Sequence, residues 1–381
     1  MDKGLDITLH LLALHAALHA RPRVLASALQ ALLEASRRSA VLGHTFTDRL
    51  AAQSHTAPDW ALAERTLSWL HETPMASLVL LGEPGYPVTL ASIPDPPPVL
   101  FARGDPALLA RTQMAVVGSR AATPAGLEFA SELASGLCRA GFAVTSGLAR
   151  GIDGAAHRGA LAASGHTLAV LGCGIDRVYP PQHRRLAEEI EATGLVLSEL
   201  PLGSGPLPHH FPRRNRIISG AAAGLVVVEA GLASGSLLTA RAALEQGREV
   251  FAVPGAVRNP QVRGCHALIR EGAMLTESVE DVLAGLPHHV LETLCVPALA
   301  GELPQAPMNV DVVSGVAVAG DTPGDDQARR VLEALDFQPV SGSLLVIRTG
   351  LTMHTLSSIL LTLELSGRVR ALPGGAFERV R

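Results

Sequence analysis

The residues best suited to chemistry stand in short glycine- and serine-rich stretches, each following an apolar run. Gly118-Ser119-Arg120, Ser146-Gly147, Gly172-Cys173-Gly174 and the stretch from Gly231 through Ser234-Gly235-Ser236 share this character. Small residues at such turns let backbone amides approach a ligand, and a following helix adds the positive end of its dipole. The chemistry implied is anion binding, with Gly118, Ser119, Ser146, Gly147 and Ser236 as candidate contacts. Arg120 adds a permanent charge whose fork of donors suits a phosphate.

The densest positive charge is Phe211-Pro212-Arg213-Arg214-Asn215-Arg216, preceded by His209-His210. Aromatic residues are only 3% of the chain, so a phenylalanine beside three arginines combines phosphate neutralisation with a base-stacking platform. Asp153 and His157 lie four apart on one helix face, the spacing of half a metal site or an acid/base pair. No third ligand stands at useful spacing, so Asp153 is expected to be structural, near a helix N-terminus. Glu199 and Glu229 end apolar strands and are expected to partner arginines rather than to act as catalytic acids.

Composition removes other mechanisms. The 31 basic residues include one lysine, Lys3, which excludes a P-loop, a pyridoxal Schiff base and a lysine general base from the body of the chain. Gly172-Cys173-Gly174-Ile175-Asp176-Arg177 has arginine where a dinucleotide fingerprint needs its third glycine, which argues against NAD. Cys138, Cys173, Cys265 and Cys295 are too dispersed for a zinc knuckle and read as reduced packing residues. Neither cofactor nor metal is expected. A net charge of -4 provides no chain-wide attraction for polyanions, so any such site must be a local patch. No apolar run reaches the ~18 residues of a membrane span, and His10, His15 and His19 interrupt the apolar N-terminal segment; a cytoplasmic protein is expected.

These residues need elements to position them. Residues 114–117, 142–145, 167–171, 195–197, 225–229, 249–253 and 273–275 read as short buried strands, separated by segments long enough for helices. Thr123-Pro124 opens one helix as N-cap and first-turn proline. Alternating short apolar strands and helices predict an α/β fold with a doubly wound parallel sheet covered on both faces. The proline-punctuated segment around Pro94-Asp95-Pro96-Pro97-Pro98 predicts extended entry chain.

Four regions follow: a small helical domain over 1–78, the sheet domain over 79–286, a linker over 287–324 poor in charge, and a tail over 325–381. Leu9, Leu12, Leu25, Leu29, Leu32 and Leu33 carry the helical spacing of the first. Three helices and a hairpin in the tail outline a winged helix. Its third helix offers only His354 as a cation, with Arg368, Arg370, Arg379 and Arg381 beyond it, so a protein-docking role competes with duplex reading. Residues 265–271 predict a short helix whose Leu268 and Ile269 lie near Val279, Val282 and Leu283. Either all of these face their own core, or some form a patch that a symmetric dimer buries.

The ordered motifs resemble one family. Gly118-Ser119-Arg120, the run from Ser146 to Asp153, residues 171–176 with Tyr179-Pro180, Ser198-Glu199 with Pro201, residues 211–220, Val228-Glu229-Ala230 through Ala240, and residues 250–255 occur in the order found in the DNA-processing protein A (DprA/Smf) family. The resemblance is dense from about 84 to 285 and weaker in the tail. It implies an extended Rossmann-like domain with a small N-terminal helical domain of SAM or helix-hairpin-helix type and a C-terminal winged helix. It implies a non-enzymatic protein that binds and protects single-stranded DNA and loads RecA on it during natural transformation, in the presence of single-strand-binding protein. By that match Gly118, Ser119, Arg120, Ser146, Gly147, Arg150 and Ser236 would hold DNA, with Phe211, Arg213, Arg214, Asn215 and Arg216 beside them. It also places a homodimer contact near Cys265, His266, Leu268 and Ile269, with His266 where the family usually has asparagine. The rival enzyme reading is a nucleotide phosphoribohydrolase, but Thr239 stands where those enzymes carry a glutamate. A winged-helix regulator of duplex sites is the other alternative.

Overall fold

The computed structural model describes residues 3–38, 57–294, 323–335, 340–372 and 376–380. Cys295, Arg381 and most of the expected linker lie outside these residues. The chain divides into two compact units, Met1–Leu299 and Ala300–Arg381.

The first unit is organised by β1 (Ala76–Leu80), β2 (Val99–Gly104), β3 (Gln113–Gly118), β4 (Ala143–Ser146), β5 (Thr167–Val170), β6 (Leu195–Ser198), β7 (Gly224–Val228), β8 (Glu249–Ala252) and β9 (Met274–Leu275). They pair in the order β1-β2-β6-β5-β4-β3-β7-β8-β9. From β6 to β9 every pairing is parallel, while β2 joins β6, and β1 joins β2, antiparallel. The extended entry chain is thus the antiparallel edge of the sheet. Strand order reverses direction between β3 and β7, the position at which doubly wound sheets open a crevice.

Both faces of the sheet are dry because the period-2 alternation is apolar in both phases. Met114, Val116, Val226, Val228 and Phe251 join one core, and Ala115, Val117, Leu225, Val227 and Val250 join another. Helices Pro124–Arg139, Ile152–Ala162 and Val279–Gly285 cover the first face. Helices His210–Ala221, Ser236–Glu245 and Arg263–Arg270 cover the second. The N-terminal helices Lys3–Leu18 and Pro22–Arg38 share a third core with the sheet, where Leu12, Leu14, Leu25 and Leu32 pack with Phe101, Ala169 and Val196. Of the periodic leucines, Leu12, Leu25, Leu29 and Leu32 are buried and Leu9 is half-buried. A buried polar tie adds to this: His15 Nε2 donates to the Glu199 carbonyl oxygen at 3.0 Å.

The second unit has helices Pro323–Ala334, Gly342–Thr349 and Met353–Leu365 and a sheet of β10 (Val340–Ser341), β11 (Val369–Leu372) and β12 (Ala376–Arg379) in the order β10-β12-β11. Val331, Leu335, Leu345, Leu356, Leu360 and Val369 form its core. This is a winged helix. The third helix exposes Leu361 and Leu365, and its sequence contains no lysine or arginine.

Candidate functional site

The loops after β3 and β4 are zipped together at the carboxyl end of the sheet. Gly118 lies opposite Val228, and a Cβ there would meet the Val228 carbonyl oxygen at 1.8 Å, so glycine permits the close strand approach. Gly151 has φ +77° and a Cβ on it would fall 2.1 Å from the Ser119 carbonyl oxygen. That oxygen instead accepts the Ile152 amide at 3.1 Å. The consequence is that Arg120 and Arg150 emerge side by side, both exposed.

They border a cleft of about 230 Å³ whose other walls are Gly147, Tyr179, Pro181, Gln182 and Phe211. The Tyr179 and Phe211 rings meet at 5.7 Å with 53° between their planes. Gly172 underlies the aromatic wall, since a Cβ on it would stand 2.8 Å from Phe211 Cδ1. Among the described residues lining the cleft there is no carboxylate, imidazole or thiol. The cleft therefore offers guanidinium groups and aromatic ring faces.

Beneath it lie two buried charged groups, Arg214 and Asp153. Arg214 is buried and its guanidinium donates to the Gly147 oxygen at 2.7 Å, to the Val170 oxygen and to Asn215 Oδ1 at 3.2 Å. It ties the ends of β4 and β5, and Gly147 must lack a side chain because a Cβ would sit 2.5 Å from the guanidinium. Burial lowers the Arg214 pKa to about 10, with Asp153 opposing that fall. Asp153 accepts the amides of Gly147 at 3.1 Å and Ala149 at 3.3 Å, and burial raises its pKa against the pull of Arg214 and these donors. His157, four residues on, turns to Thr167 Oγ1 at 2.7 Å, so this pair shares no ligand position. No cluster of three or more histidine, cysteine or carboxylate groups suited to a metal occurs among the described residues.

The crevice between β3 and β7 is filled by the protein itself. Glu229, in the left-handed region at φ 51°, accepts the Thr123 amide at 2.8 Å and its hydroxyl at 2.5 Å. Glu229 is thus a partner of a helix N-terminus rather than of an arginine. Ser119 Oγ donates to Gln261 Oε1 at 3.2 Å, Ser146 Oγ to the Val116 oxygen at 2.6 Å, and Ser236 Oγ meets Ser234 Oγ at 2.7 Å.

Arg213 and Arg216 point away from the cleft. Both bridge to the buried Glu199, at 3.1 and 2.6 Å, as expected for that carboxylate. Arg213 also donates to the His19 carbonyl oxygen, and Arg216 reaches Asp95 at 3.2 Å. Burial raises the Glu199 pKa while the two arginines hold it down. Of the residues singled out in the sequence, the structure gathers Arg120, Gly147, Arg150 and Phe211 in one cleft. Tyr179 and Gln182 join them without having been singled out as contacts. The signal was the Tyr179-Pro180 pair itself, a rare aromatic just after a strand-end turn.

Toward the β9 edge of the sheet Cys265 and Leu268 are buried in the core of one face and Val282 in that of the other, whereas His266 and Ile269 are half-buried. His266 Nε2 donates to the Gly255 oxygen at 3.0 Å, so histidine here does hold a backbone contact. The exposed apolar side chains nearby are Met274 and Leu275 on the edge strand β9.

A doubly wound sheet with a cationic, aromatic-walled cleft, in a chain that also carries a winged helix, defines a Rossmann-like protein. The DNA recombination-mediator protein A family matches residues 77–287, and the DprA winged helix domain matches residues 317–375. Protein Smf of Escherichia coli is 41% identical over 320 residues, covering 82% of this chain and 79% of that protein. DNA processing protein DprA of Bacillus subtilis is 45% identical over 203 residues, 53% of this chain and 68% of that protein. The X-ray structure of DprA from Streptococcus pneumoniae aligns with TM-score 0.59 at 38% identity, covering 68% of this chain and 92% of its own. A Helicobacter pylori DprA structure, described for its single-stranded DNA binding mode, aligns with TM-score 0.50 at 28% identity, covering 55% and 94%. The chain belongs to the DNA recombination-mediator protein A (DprA/Smf) family and is a DNA-processing protein.

Proposed function

We propose that this chain binds single-stranded DNA in the Arg120–Phe211 cleft and delivers it to a RecA-type recombinase, without catalysing a reaction itself. The observation that carries the reading is the pairing of two exposed guanidinium groups, Arg120 and Arg150, with the ring faces of Tyr179 and Phe211. A single strand presents this alternation of phosphate and unstacked base, and a duplex hides its base faces. The Helicobacter pylori relative is described as binding single-stranded DNA, which supports the same ligand here. In this reading Arg120, Arg150 and Phe211 touch the strand, Gly118, Ser119, Ser146 and Gly147 shape the turns, and Arg214 with Asn215 holds the floor. Arg213, Arg216 and Ser236 act within the fold.

The protein works in the cytoplasm as a homodimer, in company with single-strand-binding protein, and the dimer contact includes Ile269 and His266. The third helix of the winged helix carries no lysine or arginine, which supports a docking rather than a duplex-reading tail. The deciding experiment is a salt-titrated comparison of single- and double-stranded oligonucleotides. Tighter binding of the single strand, tolerant of base sequence, is expected. Preference for one duplex sequence by about a thousandfold would overturn it.

A further inference from the structure

Tyr179 and Pro181 wall two hollows. On one side is the cleft of Arg120 and Arg150; on the other is a larger hollow of about 510 Å³ bordered by Arg103, Arg177, Arg184, Asp176 and Glu188. The acidic members of the second hollow do not cancel its arginines evenly. Asp176 is held by the Gly203 amide, which reaches its two oxygens at 2.9 and 3.0 Å. Arg103 is bound to Glu191 at 2.6 Å, yet its Nε is buried with no hydrogen-bond partner. Arg177 and Arg184 are exposed and make no ion pair among the described residues. Glu188, one helical turn beyond Arg184, is the remaining carboxylate. An aromatic ridge therefore separates two places where exposed guanidinium groups can meet a phosphate.

We propose that the hollow of Arg177 and Arg184 is a second phosphodiester subsite. A bound strand would run from Arg120 and Arg150 across Tyr179, stacking a base on its ring, and place further phosphates against Arg177 and Arg184. This rests on the reading of the first cleft as a single-strand site. The geometry favours a continuous strand over an isolated anion, because Tyr179 is exposed and belongs to both hollows. Stacking on a ridge and ion pairing on either side repeat the spacing logic of a flexible strand.

The test compares oligothymidylates of about four and about twelve nucleotides, lengths within the range of compact single-strand sites. The double variant Arg177→Ala/Arg184→Ala should bind the short strand as the parent does. It should bind the long strand roughly tenfold more weakly at moderate salt, with the salt slope reduced by about 1.4, the equivalent of two single-strand phosphate contacts. Arg177→Lys/Arg184→Lys should restore the slope, and circular dichroism should be unchanged in both. Unaltered affinity and slope on the long strand would overturn the subsite. The first cleft is judged separately by Arg120→Ala, which should weaken short and long strands alike; failure there removes the single-strand reading, whatever the double variant does.

Discussion

The guanidinium carbon of Arg120 lies 5.4 Å from the centre of the Phe211 ring. A cation thus occupies the aromatic face on which a base would stack, and the two contacts are alternatives for that face. When a phosphate draws Arg120 off the ring, the ring is freed for the adjoining base, so ion pairing and stacking are coupled. Arg120→Ala is expected to flatten the salt dependence of single-strand binding by roughly 0.7 and to leave stability within about 1 kcal/mol. Fluorescence anisotropy across a salt series checks the slope, and urea unfolding checks the stability. An unchanged slope would remove Arg120 from the interface.

Phe211 gives the complementary measurement. Phe211→Ala removes the stacking platform and is expected to cost about 1–3 kcal/mol in binding with the salt slope intact. Gly172→Ala is the subtler probe, since its Cβ would press on Phe211 Cδ1 from 2.8 Å and tilt the ring without removing it. A smaller affinity loss than for Phe211→Ala, again at constant slope, is the expected result. If Gly172→Ala changes the slope but not the affinity, the ring is not the stacking surface.

Glu199 neutralises Arg213 and Arg216 from a position only 5% exposed. Replacing it by glutamine leaves the largely sheltered Arg213 without a counter-charge and Arg216 with Asp95 alone, which is expected to destabilise the fold by about 3 kcal/mol. Because Arg213 also holds the His19 carbonyl oxygen, proteolysis near the N-terminal helices should accelerate. Single-strand salt slope should stay at the parent value. A flattened slope in Arg213→Ala, with unchanged stability, would instead make this arginine a phosphate contact.

The strands were legible because they are apolar in both phases, and a strand buried on both faces announces itself by composition alone. Arg120 was legible too, as the cation following a glycine turn at a strand end. The inward turn of Arg213, Arg214 and Arg216 was not. Their helix could be read, but its rotation is fixed by partners distant in sequence, such as the Val170 oxygen 44 positions away. Tertiary contact likewise decides the N-terminal helices, whose tie from His15 to Glu199 spans 184 positions. The edge pairing of β2 with β6 was masked by the prolines before Val99, which signal extended chain without naming its neighbour.

Stability should fall on mild acidification, and His157 supplies part of the reason. Thr167 Oγ1 donates to the Val144 oxygen, so it must accept from His157 Nδ1–H, leaving Nε2 buried and unpartnered. Burial lowers the His157 pKa to about 3, and His15 to about 3 likewise. A depressed pKa means that the unfolded chain takes up protons first. The stabilisation is complete above pH 6.5 and is lost as pH falls from there toward 3, at about 1.4 kcal/mol per pH unit for each histidine. The raised pKa values of Asp153 and Glu199 act in the opposite sense at the acidic end, so the window from pH 7 to 5.5 is the informative one. Urea unfolding there should show a shallower pH slope for His157→Gln than for the parent. Equal slopes would mean that His157 does not titrate across the transition.

The assembly prediction turns on which side chains near the end of the sheet are free. Leu268 is 3% exposed and packs in the sheet core, so Leu268→Glu would bury a charge within the protomer and report on folding, not on pairing. Ile269 is half-buried on the same helix, and Leu275 is 50% exposed on β9, the last strand of the sheet. An exposed leucine on an unpaired strand edge beside a half-covered isoleucine is a surface that a second copy would cover. A two-fold contact there places Leu275 of each protomer near the axis, where a pair of introduced carboxylates would repel and remain unpaired. Leu275→Glu and Ile269→Glu are therefore expected to give folded monomers, read by sedimentation and circular dichroism. Two clefts joined by the contact bind a long strand by effective concentration, so the monomers should hold a short oligonucleotide nearly as the parent does and a long one much less tightly. Both variants sedimenting as native dimers would place the contact on another face of the protein.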